Sequence, residues 1–253
     1  MIALVTGGSS GIGLEFSRQL AAKGYDLIIV SNIQEQLDNV CGPLAEEFGV
    51  KVIPHFQNLA VANAAEELLA WCDSISVLPD VLINNAGMFY FKELRPELMG
   101  KAEVMIGLHV TTPTKICVLF GDRMKQRGSG RILLVASMAA RIPAPGIQVY
   151  SATKAYLRSF GESLSYEMKP YGVRVCTVCP GAVATPLYRL KPSLMKLGVG
   201  LGVIKKPSTI VHRALRGLYR GRRVVNPSLM SFYLPPLIGI LPKSLVSAIW
   251  KRL

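Results

Sequence analysis

The last third of the sequence lacks acidic residues altogether. Residues 168–253 hold fifteen Lys/Arg and no Asp/Glu, whereas residues 1–167 hold fourteen Lys/Arg and all sixteen Asp/Glu. A positive field of this kind favours anionic partners such as phospholipid headgroups, coenzyme A phosphates, an acidic carrier protein or nucleic acid. Because the segment has no recognition module and no interleaved aromatic residues, no nucleic-acid partner is expected. A solvated basic face without a dedicated partner is the other interpretation.

Cysteine is scarce, and its number is odd. The five cysteines are scattered over predicted helices and strands, which suits a reducing compartment without disulfides. Cys176 and Cys179 form a single Cys-x-x-Cys pair inside the strand-like stretch VRVCTVC, and no second pair completes a zinc site. Core packing is therefore favoured over redox or metal chemistry for this pair, and no metal is expected.

No export signal precedes the first predicted strand, so a cytoplasmic location is expected. The tail, residues 227–253, contains SLMSFYLPPLIGIL, 14 uncharged residues broken by Pro235 and Pro236. This stretch is shorter than the about 20 residues that a membrane-spanning helix needs. Apolar and aromatic residues beside Lys and Arg fit peripheral contact with a membrane surface, but they fit equally an oligomer contact or the wall of a substrate pocket. Ordinary packing of the tail on the domain is the remaining interpretation.

Short apolar runs alternate along the chain with segments of helical period. The runs are IALVT, DLIIV, VKVIPHF, DVLIN, RILLVAS and VRVCTVC, with RVVNP as a last short strand. This alternation predicts parallel strands joined by right-handed helical crossovers, with helices on both faces of the sheet. We expect one α/β domain over residues 1–226, a doubly wound, Rossmann-like parallel sheet of about seven strands, with a substrate flap at 185–206. Pro207 is expected to begin a helix that ends near Arg220.

A glycine-rich turn, TGGSSGIG at residues 6–13, lies between the first predicted strand and the first helix. Glycines there permit positive φ and close approach of the backbone to a ligand, and a helix N-terminus favours a pyrophosphate. A dinucleotide fits this turn, although such a turn can also be purely structural.

Tyr150 and Lys154 are four residues apart in YSATK, at the start of a helix-like segment. This spacing places both side chains on one side of the helix. A nearby ammonium stabilises a phenolate and lowers the pKa of a tyrosine from about 10, which would suit Tyr150 to proton transfer. Taken alone, such a pair is more often part of a solvated surface.

Five motifs occur together and in order: TGGSSGIG, DVLINNAG at residues 80–87, Ser137 thirteen residues before Tyr150, YSATK, and PGAVAT at residues 180–185. In this order and spacing, the sequence resembles the short-chain dehydrogenase/reductase family over about residues 1–226, close to the lipid or 3-oxoacyl reductases. The resemblance implies the fold expected above and hydride transfer between a nicotinamide cofactor and a hydroxyl or ketone.

The resemblance also implies a role for each matching residue. Ser137 would hydrogen-bond the reacting oxygen, Tyr150 would exchange its proton, and Lys154 would hold the nicotinamide ribose and lower the pKa of the tyrosine. The simpler interpretation of Ser137 is a strand-end hydroxyl that bonds the backbone. The implied cofactor-binding residues are Gly7, Ser9, Ser10, Gly11, Ile12, Gly13, Ser31, Asn32, Asn58, Leu59, Asn85, Ala86, Gly87, Tyr150, Lys154, Pro180, Gly181, Val183 and Thr185.

Two positions depart from the family pattern. His109 stands 28 residues before Ser137, where an asparagine usually supports a proton relay from the lysine. An imidazole there would either join proton transfer or pack in the helix without chemistry, so His109 is a candidate catalytic residue. Asn58 stands where an aspartate usually contacts the adenine, and its amide oxygen can still accept a hydrogen bond.

The choice of cofactor depends on the end of the second strand. An acid at Ser31 would exclude a ribose phosphate, and a base at Asn32 or Ser10 would attract one. Neither is present. We expect NADP to be preferred over NAD because no acid excludes the phosphate and the chain is basic.

The sequence therefore predicts an oxidoreductase that interconverts a ketone and a secondary alcohol. An apolar substrate such as a 3-oxoacyl chain, a sphingoid base or a steroid is expected from the Leu- and Met-containing flap and the apolar tail. The alternative is a cofactor-binding sensor protein that keeps the fold without turnover. The resemblance also implies a homodimer or homotetramer.

Overall fold

The computed structural model describes residues 1–142, 145–185, 199–200 and 204–240. Most of the expected flap and the last thirteen residues of the tail therefore lie outside the described residues. The strands are β1 (Ile2–Thr6), β2 (Asp26–Ser31), β3 (Val52–Phe56), β4 (Val81–Asn84), β5 (Gly130–Val135), β6 (Val173–Val178) and β7 (Val224–Val225). The helices that we number are α1 (Gly11–Ala21), α2 (Gln34–Phe48), α3 (Ala64–Ser74), α4 (Met99–Ile106), α5 (Thr112–Arg127), α6 (Gln148–Met168), α7 (Pro207–Tyr219) and α8 (Leu229–Ile240).

The seven described strands form one parallel sheet in the order β3-β2-β1-β4-β5-β6-β7. The predicted fold class is confirmed, and so is a helix that begins at Pro207. The strand order reverses between β1 and β4, because β2 lies on one side of β1 and β4 on the other. A crevice opens beyond the carboxyl ends of strands at such a reversal, and ligands of doubly wound sheets bind there.

The strands β1, β2, β4, β5 and β6 are largely buried on both faces, which explains why they are continuous apolar runs rather than alternating ones. The edge strand β3 is partly exposed. Successive strand side chains point to opposite faces, so Leu4 packs into one cluster and Val5 into the other. Phe120 of α5 is buried against the first face, and Phe16 of α1 is buried against the second. The two buried clusters, one on each face of the sheet, hold the carboxyl ends of the strands in place.

All five cysteines are free and buried. Burial raises the pKa of the Cys176 thiol to about 12 and that of Cys179 to about 11. A thiol is a nucleophile or a metal ligand only as the thiolate, so these side chains act as packing groups in the core of the sheet.

The two prolines of the tail do not break its helix. Helix α8 runs through Pro235 and Pro236, although the sequence predicts an interruption there. Ser228 and Ser231 cap its start reciprocally: Ser228 Oγ accepts from the Ser231 backbone N–H, and Ser231 Oγ accepts from the Ser228 N–H, each at 3.0 Å. This capping box stabilises the first turn, which partly offsets the two backbone donors that the prolines remove.

A π-helical stretch, Gly107–Thr111, joins α4 to α5. The helical run over residues 96–127 is apolar and long enough to cross a membrane by length and composition alone. Its residues Ile116 and Phe120 are nevertheless buried in the core beside the sheet, so the run serves as a core helix. Single π turns inside α-helices occur often at functional sites, and this one carries His109.

Candidate active site

A cavity of about 760 Å³ opens at the carboxyl edge of the sheet, where the strand order reverses. Every residue that the sequence predicts for the site lines it, apart from Gly13. Among the described residues that line it, Lys154 is the one ammonium and no carboxylate is present. A cavity of this kind can take an anionic ligand without repelling it.

The glycine-rich turn forms one wall of this cavity. Gly7 and Gly11 have φ angles of +62° and +54°, which side chains rarely adopt. A methyl group on Gly7 would lie 3.0 Å from the Cα atom of Ala86, and one on Gly13 would collide with the backbone oxygen of Gly7. Gly13 therefore shapes the turn from behind, and the bare backbone at the start of α1 fits a dinucleotide pyrophosphate.

The NNAG segment is fixed directly onto this turn. Asn85 Nδ2 donates to the backbone oxygens of Thr6 and Gly7, each at 3.1 Å. The backbone N–H groups of Asn85 and Ala86 both donate to Thr6 Oγ1 at 3.0 Å. Asn84 turns the other way and donates to Cys117 Sγ in the core. The two cofactor motifs are thus one hydrogen-bonded unit across the topological reversal.

A polar cluster lies at the end of β2, where the buried Ser9 and Ser31 meet the half-buried Gln36 of α2. Ser9 Oγ lies 2.8 Å from Ser31 Oγ and 2.9 Å from Gln36 Oε1. Asn32 beside it is exposed. On the adjoining wall, Asn58 Oδ1 accepts from the backbone N–H of Ala60 at 3.0 Å, so one lone pair of this oxygen is already occupied.

Ser137 lies just beyond β5 at the start of a 3₁₀ turn, Met138–Arg141. Its Oγ accepts from the backbone N–H of Ala139 at 3.1 Å, and the Met138 N–H donates to the oxygen of Pro180 at 2.7 Å. A serine hydroxyl that accepts from the backbone still has its own proton to donate. Ser137 is therefore oriented by the backbone and can also donate to a ligand oxygen.

Tyr150 and Lys154 lie one turn apart in α6, and both side chains are buried against the cavity. The Lys154 ammonium lies 5.7 Å from the centre of the Tyr150 ring, and Phe89 packs edge-on against that ring at 4.9 Å. Lys154 Nζ donates to the backbone oxygen of Val135 at 2.9 Å. Burial lowers the pKa of Lys154 from 10.5 to about 8.

The His109 ring lies next to the Tyr150 ring, with 5.9 Å between their centres, and both of its ring nitrogens are hydrogen-bonded. Nε2 accepts from the Met88 backbone N–H at 3.0 Å, and Nδ1 lies 3.1 Å from Thr153 Oγ1. The sequence predicts His109 near Tyr150 but gives no indication of these partners. They belong to the loop after NNAG and to α6, which the fold alone brings together.

The segment from Pro180 to Thr185 closes the cavity from the other side. Thr185 is buried beside Gly11, with its Cγ2 3.5 Å from the position of a methyl group on that glycine. Val183 pairs with Lys205, so the chain leaving this segment returns to it at Lys205. Both ends of the expected flap are thereby fixed, while residues 186–198 and 201–203 lie outside the described residues.

Several residues that line the cavity are not predicted from the sequence. The most informative are Gln36 in the first turn of α2, and Met88, Phe89, Val104 and Leu108, which give one end of the cavity an apolar wall. Gln36 could have been found, because it follows β2 by five residues and the first turn of the next helix faces the same edge. The apolar wall has no local sequence signal.

A Rossmann-like sheet with a glycine-rich cofactor turn and a Ser-Tyr-Lys cluster at one cavity defines a class of nucleotide-dependent oxidoreductases. The short chain dehydrogenase family model matches residues 1–193. The chain belongs to the short-chain dehydrogenase/reductase family.

Among curated relatives, the very-long-chain 3-oxoacyl-CoA reductase of Mus musculus is 32% identical over 200 residues, covering 77% of this chain and 63% of the relative. A reductase of the same description from Phaeosphaeria nodorum is also 32% identical, covering 76% of this chain and 58% of that protein. The chain therefore spans only about 60% of the length of these relatives.

Solved structures with this fold cover nearly the whole chain. A short-chain dehydrogenase from Sphingobium yanoikuyae in complex with NADPH has a TM-score of 0.80 at 26% identity, covering 96% of this chain and 97% of that one. A bulky-bulky ketone specific alcohol dehydrogenase from Comamonas testosteroni has a TM-score of 0.79 at 25% identity, covering 96% and 95%.

Proposed function

We propose that this chain is an NADPH-dependent reductase that interconverts a ketone and a secondary alcohol on an apolar substrate. The observation that carries the proposal is the convergence of Ser137, Tyr150 and Lys154 on the cavity that the glycine-rich turn lines. A bound nicotinamide would supply or accept the hydride. The glycine-rich turn would hold its pyrophosphate, Lys154 its ribose, and Pro180 to Thr185 would bound the nicotinamide.

The protein side of the reaction is acid–base chemistry. Ser137 donates a hydrogen bond to the substrate oxygen, which is thereby held beside Tyr150. The Tyr150 hydroxyl gives its proton to this oxygen in reduction and takes it back in oxidation. The Lys154 ammonium favours the phenolate that remains after reduction, because opposite charges attract strongly in a buried site.

An apolar substrate is supported by the wall of Met88, Phe89, Val104 and Leu108. Two kinds of relative agree with it, since the mouse relative is named for a very-long-chain 3-oxoacyl thioester and the Comamonas testosteroni structure for bulky ketones. We infer that the substrate is a 3-oxoacyl thioester with a long acyl chain. Burial of each methylene contributes about 0.8 kcal/mol, so affinity should increase with chain length.

The proposal is tested by following NADPH consumption with 3-oxoacyl-coenzyme A substrates of graded length, and with small polar sugars as controls. We expect kcat/KM to rise with chain length and the sugars to give no turnover. Turnover of a polar sugar without turnover of any acyl substrate would refute the substrate class.

The preference for NADPH over NADH is supported by the polar cluster at the end of β2. Ser9, Ser31 and Gln36 offer hydroxyl and amide groups without a carboxylate, so a ribose phosphate meets no like charge there. Titration of the protein fluorescence with both cofactors should give the lower Kd for NADPH. A lower Kd for NADH would overturn this preference.

A peripheral membrane contact is also part of the proposal, on a chain working in the cytoplasm. Helix α8 has no charged residue, and five of its large side chains are more than half exposed, namely Leu229, Phe232, Tyr233, Leu237 and Ile240. The basic last third of the chain complements an anionic lipid surface. Helix α8 also packs against the 3₁₀ turn after Ser137, so this surface adjoins the active site.

Sedimentation with lipid vesicles tests the membrane contact. The chain should sediment with vesicles that contain phosphatidylserine, and the double variant Phe232→Ser/Leu237→Ser should stay in solution. Val61→Ser, an exposed change in the turn before α3, serves as the matched control and should sediment like the original chain. Equal sedimentation of all three proteins would contradict a contact through α8.

We further propose a homodimer or homotetramer built on α5 and α6. Exposed apolar side chains on these helices, Val118 and Tyr156, support it. Light scattering should report a dimer or tetramer for the chain and a smaller species for Val118→Arg. A monomeric original chain would refute the proposal.

A further inference from the structure

The hydrogen bonds of His109 define its protonation state. A backbone N–H can only donate, so Nε2, which faces the Met88 N–H, must be an unprotonated acceptor. The Thr153 hydroxyl donates its single proton to the Tyr150 backbone oxygen at 2.9 Å. The remaining contact, between Nδ1 and Thr153 Oγ1, therefore needs the ring proton on Nδ1. The neutral tautomer with its proton on Nδ1 therefore satisfies the Met88 N–H, both ring nitrogens of His109, the Thr153 hydroxyl and the Tyr150 backbone oxygen.

The surroundings of the ring disfavour an imidazolium. His109 is 1% exposed, and burial followed by the charge of Lys154 lowers its pKa well below 6.5. The titratable groups that face it are Lys154 and Tyr150, both from α6, and the Tyr150 ring centre is 5.9 Å away. The loop after NNAG presents backbone to it. A proton on Nε2 would also point at the Met88 N–H and break that bond.

We propose that His109 is a positioning residue, a neutral bridge that fixes the loop carrying Gly87 and Met88 to the catalytic helix, and that it does not carry the proton of Tyr150. This inference rests on the proposed reductase function for its kinetic consequences but not for its tautomer. The bridge runs from the Met88 N–H through the imidazole and the Thr153 hydroxyl to the backbone of Tyr150. It thereby ties a cofactor-lining loop to the proton donor.

Gly87 is shaped to admit this ring. A methyl group on Gly87 would lie 2.8 Å from His109 Nε2, closer than ordinary contact. The imidazole reaches the Met88 N–H only because residue 87 has no side chain. The glycine of NNAG and the histidine of the π-helical stretch are therefore matched to each other in this chain.

Nitrogen NMR of the imidazoles tests the bridge without any substrate. The chain has three histidines, His55, His109 and His212, so ¹H–¹⁵N correlation spectra can be assigned from His109→Gln, His55→Gln and His212→Gln. We expect the His109 signals to keep the neutral Nδ1–H pattern throughout the pH range in which the protein stays folded. Titration of His109 near its usual pKa of about 6.5, or an Nε2–H pattern, would overturn the proposal. If His109→Gln does not fold, the other two variants assign His109 by elimination.

Kinetics then separate positioning from proton transfer. His109→Phe keeps a ring but leaves the Met88 N–H without an acceptor, so kcat/KM should fall by about 10- to 100-fold, the equivalent of one lost buried hydrogen bond. His109→Gln cannot carry a proton but can accept from Met88, and it should recover most of this loss with an unchanged pH profile. Equal losses in both variants, with one limb of the pH profile removed, would establish a relay instead. His212→Gln, an exposed change on α7, is the control.

Discussion

Lys154 Nζ donates a hydrogen bond of 2.9 Å to the backbone oxygen of Val135, the last residue of β5. Ser137 lies two residues further along the same segment. Lys154 is thus fixed to the end of the strand that leads into Ser137, and this hydrogen bond links the lysine and serine positions of the Ser-Tyr-Lys cluster. Several measurable consequences depend on this arrangement.

Replacing Tyr150 with phenylalanine removes the proposed proton donor while leaving its ring. A positioned general acid contributes about 10²- to 10⁴-fold, so kcat/KM of Tyr150→Phe should fall by about that factor. Binding of NADPH, measured by fluorescence, should change little. Tyr171→Phe, at an exposed tyrosine, is the control and should be fully active. An active Tyr150→Phe enzyme would remove this tyrosine from the mechanism.

Lys154→Met should make the protein more stable and inactive. Burial lowers the pKa of Lys154 from 10.5 to about 8, so the folded state bears a penalty of about 3 kcal/mol for the charged form at pH 7. Lys154→Met removes this penalty, but it also leaves the Val135 backbone oxygen without its hydrogen-bond donor, which costs part of the gain. We expect a net gain of about 1–3 kcal/mol in the free energy of unfolding. Urea denaturation of the cofactor-free protein measures it.

The pH dependence of this gain has a defined sign. As the pH rises from about 8 to 10.5, the folded protein releases the Lys154 proton while the unfolded chain still holds it. The free energy of unfolding of the original chain should therefore rise through this window relative to Lys154→Met, and the difference between the two proteins should shrink. A variant that is less stable than the original chain at pH 7 would show that the buried charge is compensated.

Two glycine-to-alanine substitutions compare a glycine packed against the glycine-rich turn with a glycine in open space on another helix. Gly13→Ala brings a methyl group against the backbone oxygen of Gly7, which cannot move without disturbing the turn. We expect a loss of about 1–3 kcal/mol of stability and weaker NADPH binding. Gly42→Ala, at an exposed position inside α2 with open space around it, should be neutral or stabilising by up to about 1 kcal/mol. Thermal unfolding compares the two, and equal effects would contradict the packing argument.

Ser31→Asp should shift the cofactor preference towards NADH. A carboxylate there accepts from ribose hydroxyls and repels a phosphate, and we expect the ratio of NADPH to NADH affinity to fall at least about tenfold, or about 1.4 kcal/mol. Ser31→Asn has the same shape without the charge and should leave the ratio nearly unchanged. If both variants behave alike, the phosphate does not lie near residue 31.

Much of the fold follows from the sequence because parallel strands buried on both faces are continuous apolar runs. IALVT and DLIIV correspond directly to β1 and β2. The glycine-rich turn could also be predicted, since positive φ and close backbone approach leave glycine as the residue of choice at Gly7 and Gly11. Such signals are local, and each is contained within about ten residues of chain.

The features that the sequence did not predict depend on tertiary contacts, or on stabilising and destabilising residues within the same helix. The partners of His109 come from two elements distant in the chain, and nothing near residue 109 identifies Thr153 as one of them. Pro235 and Pro236 predict a break, yet α8 continues through both, with Ser228 capping its start and Pro235 buried. The domain limits at 226 and the roles of the cofactor-lining residues remain predictions.

Transfer of a labelled hydride from NADPH to the substrate is the decisive test of the proposed reductase activity. NADPH that carries deuterium at both C4 positions of the nicotinamide is incubated with a long-chain 3-oxoacyl-coenzyme A, and the 3-hydroxyacyl product is analysed by mass spectrometry. We predict one deuterium in the product of the original chain and a yield lower by at least about 10²-fold with Tyr150→Phe. Tight NADPH binding without labelled product from any substrate tested, and with no difference between the two proteins, would contradict the account and favour a cofactor-binding sensor.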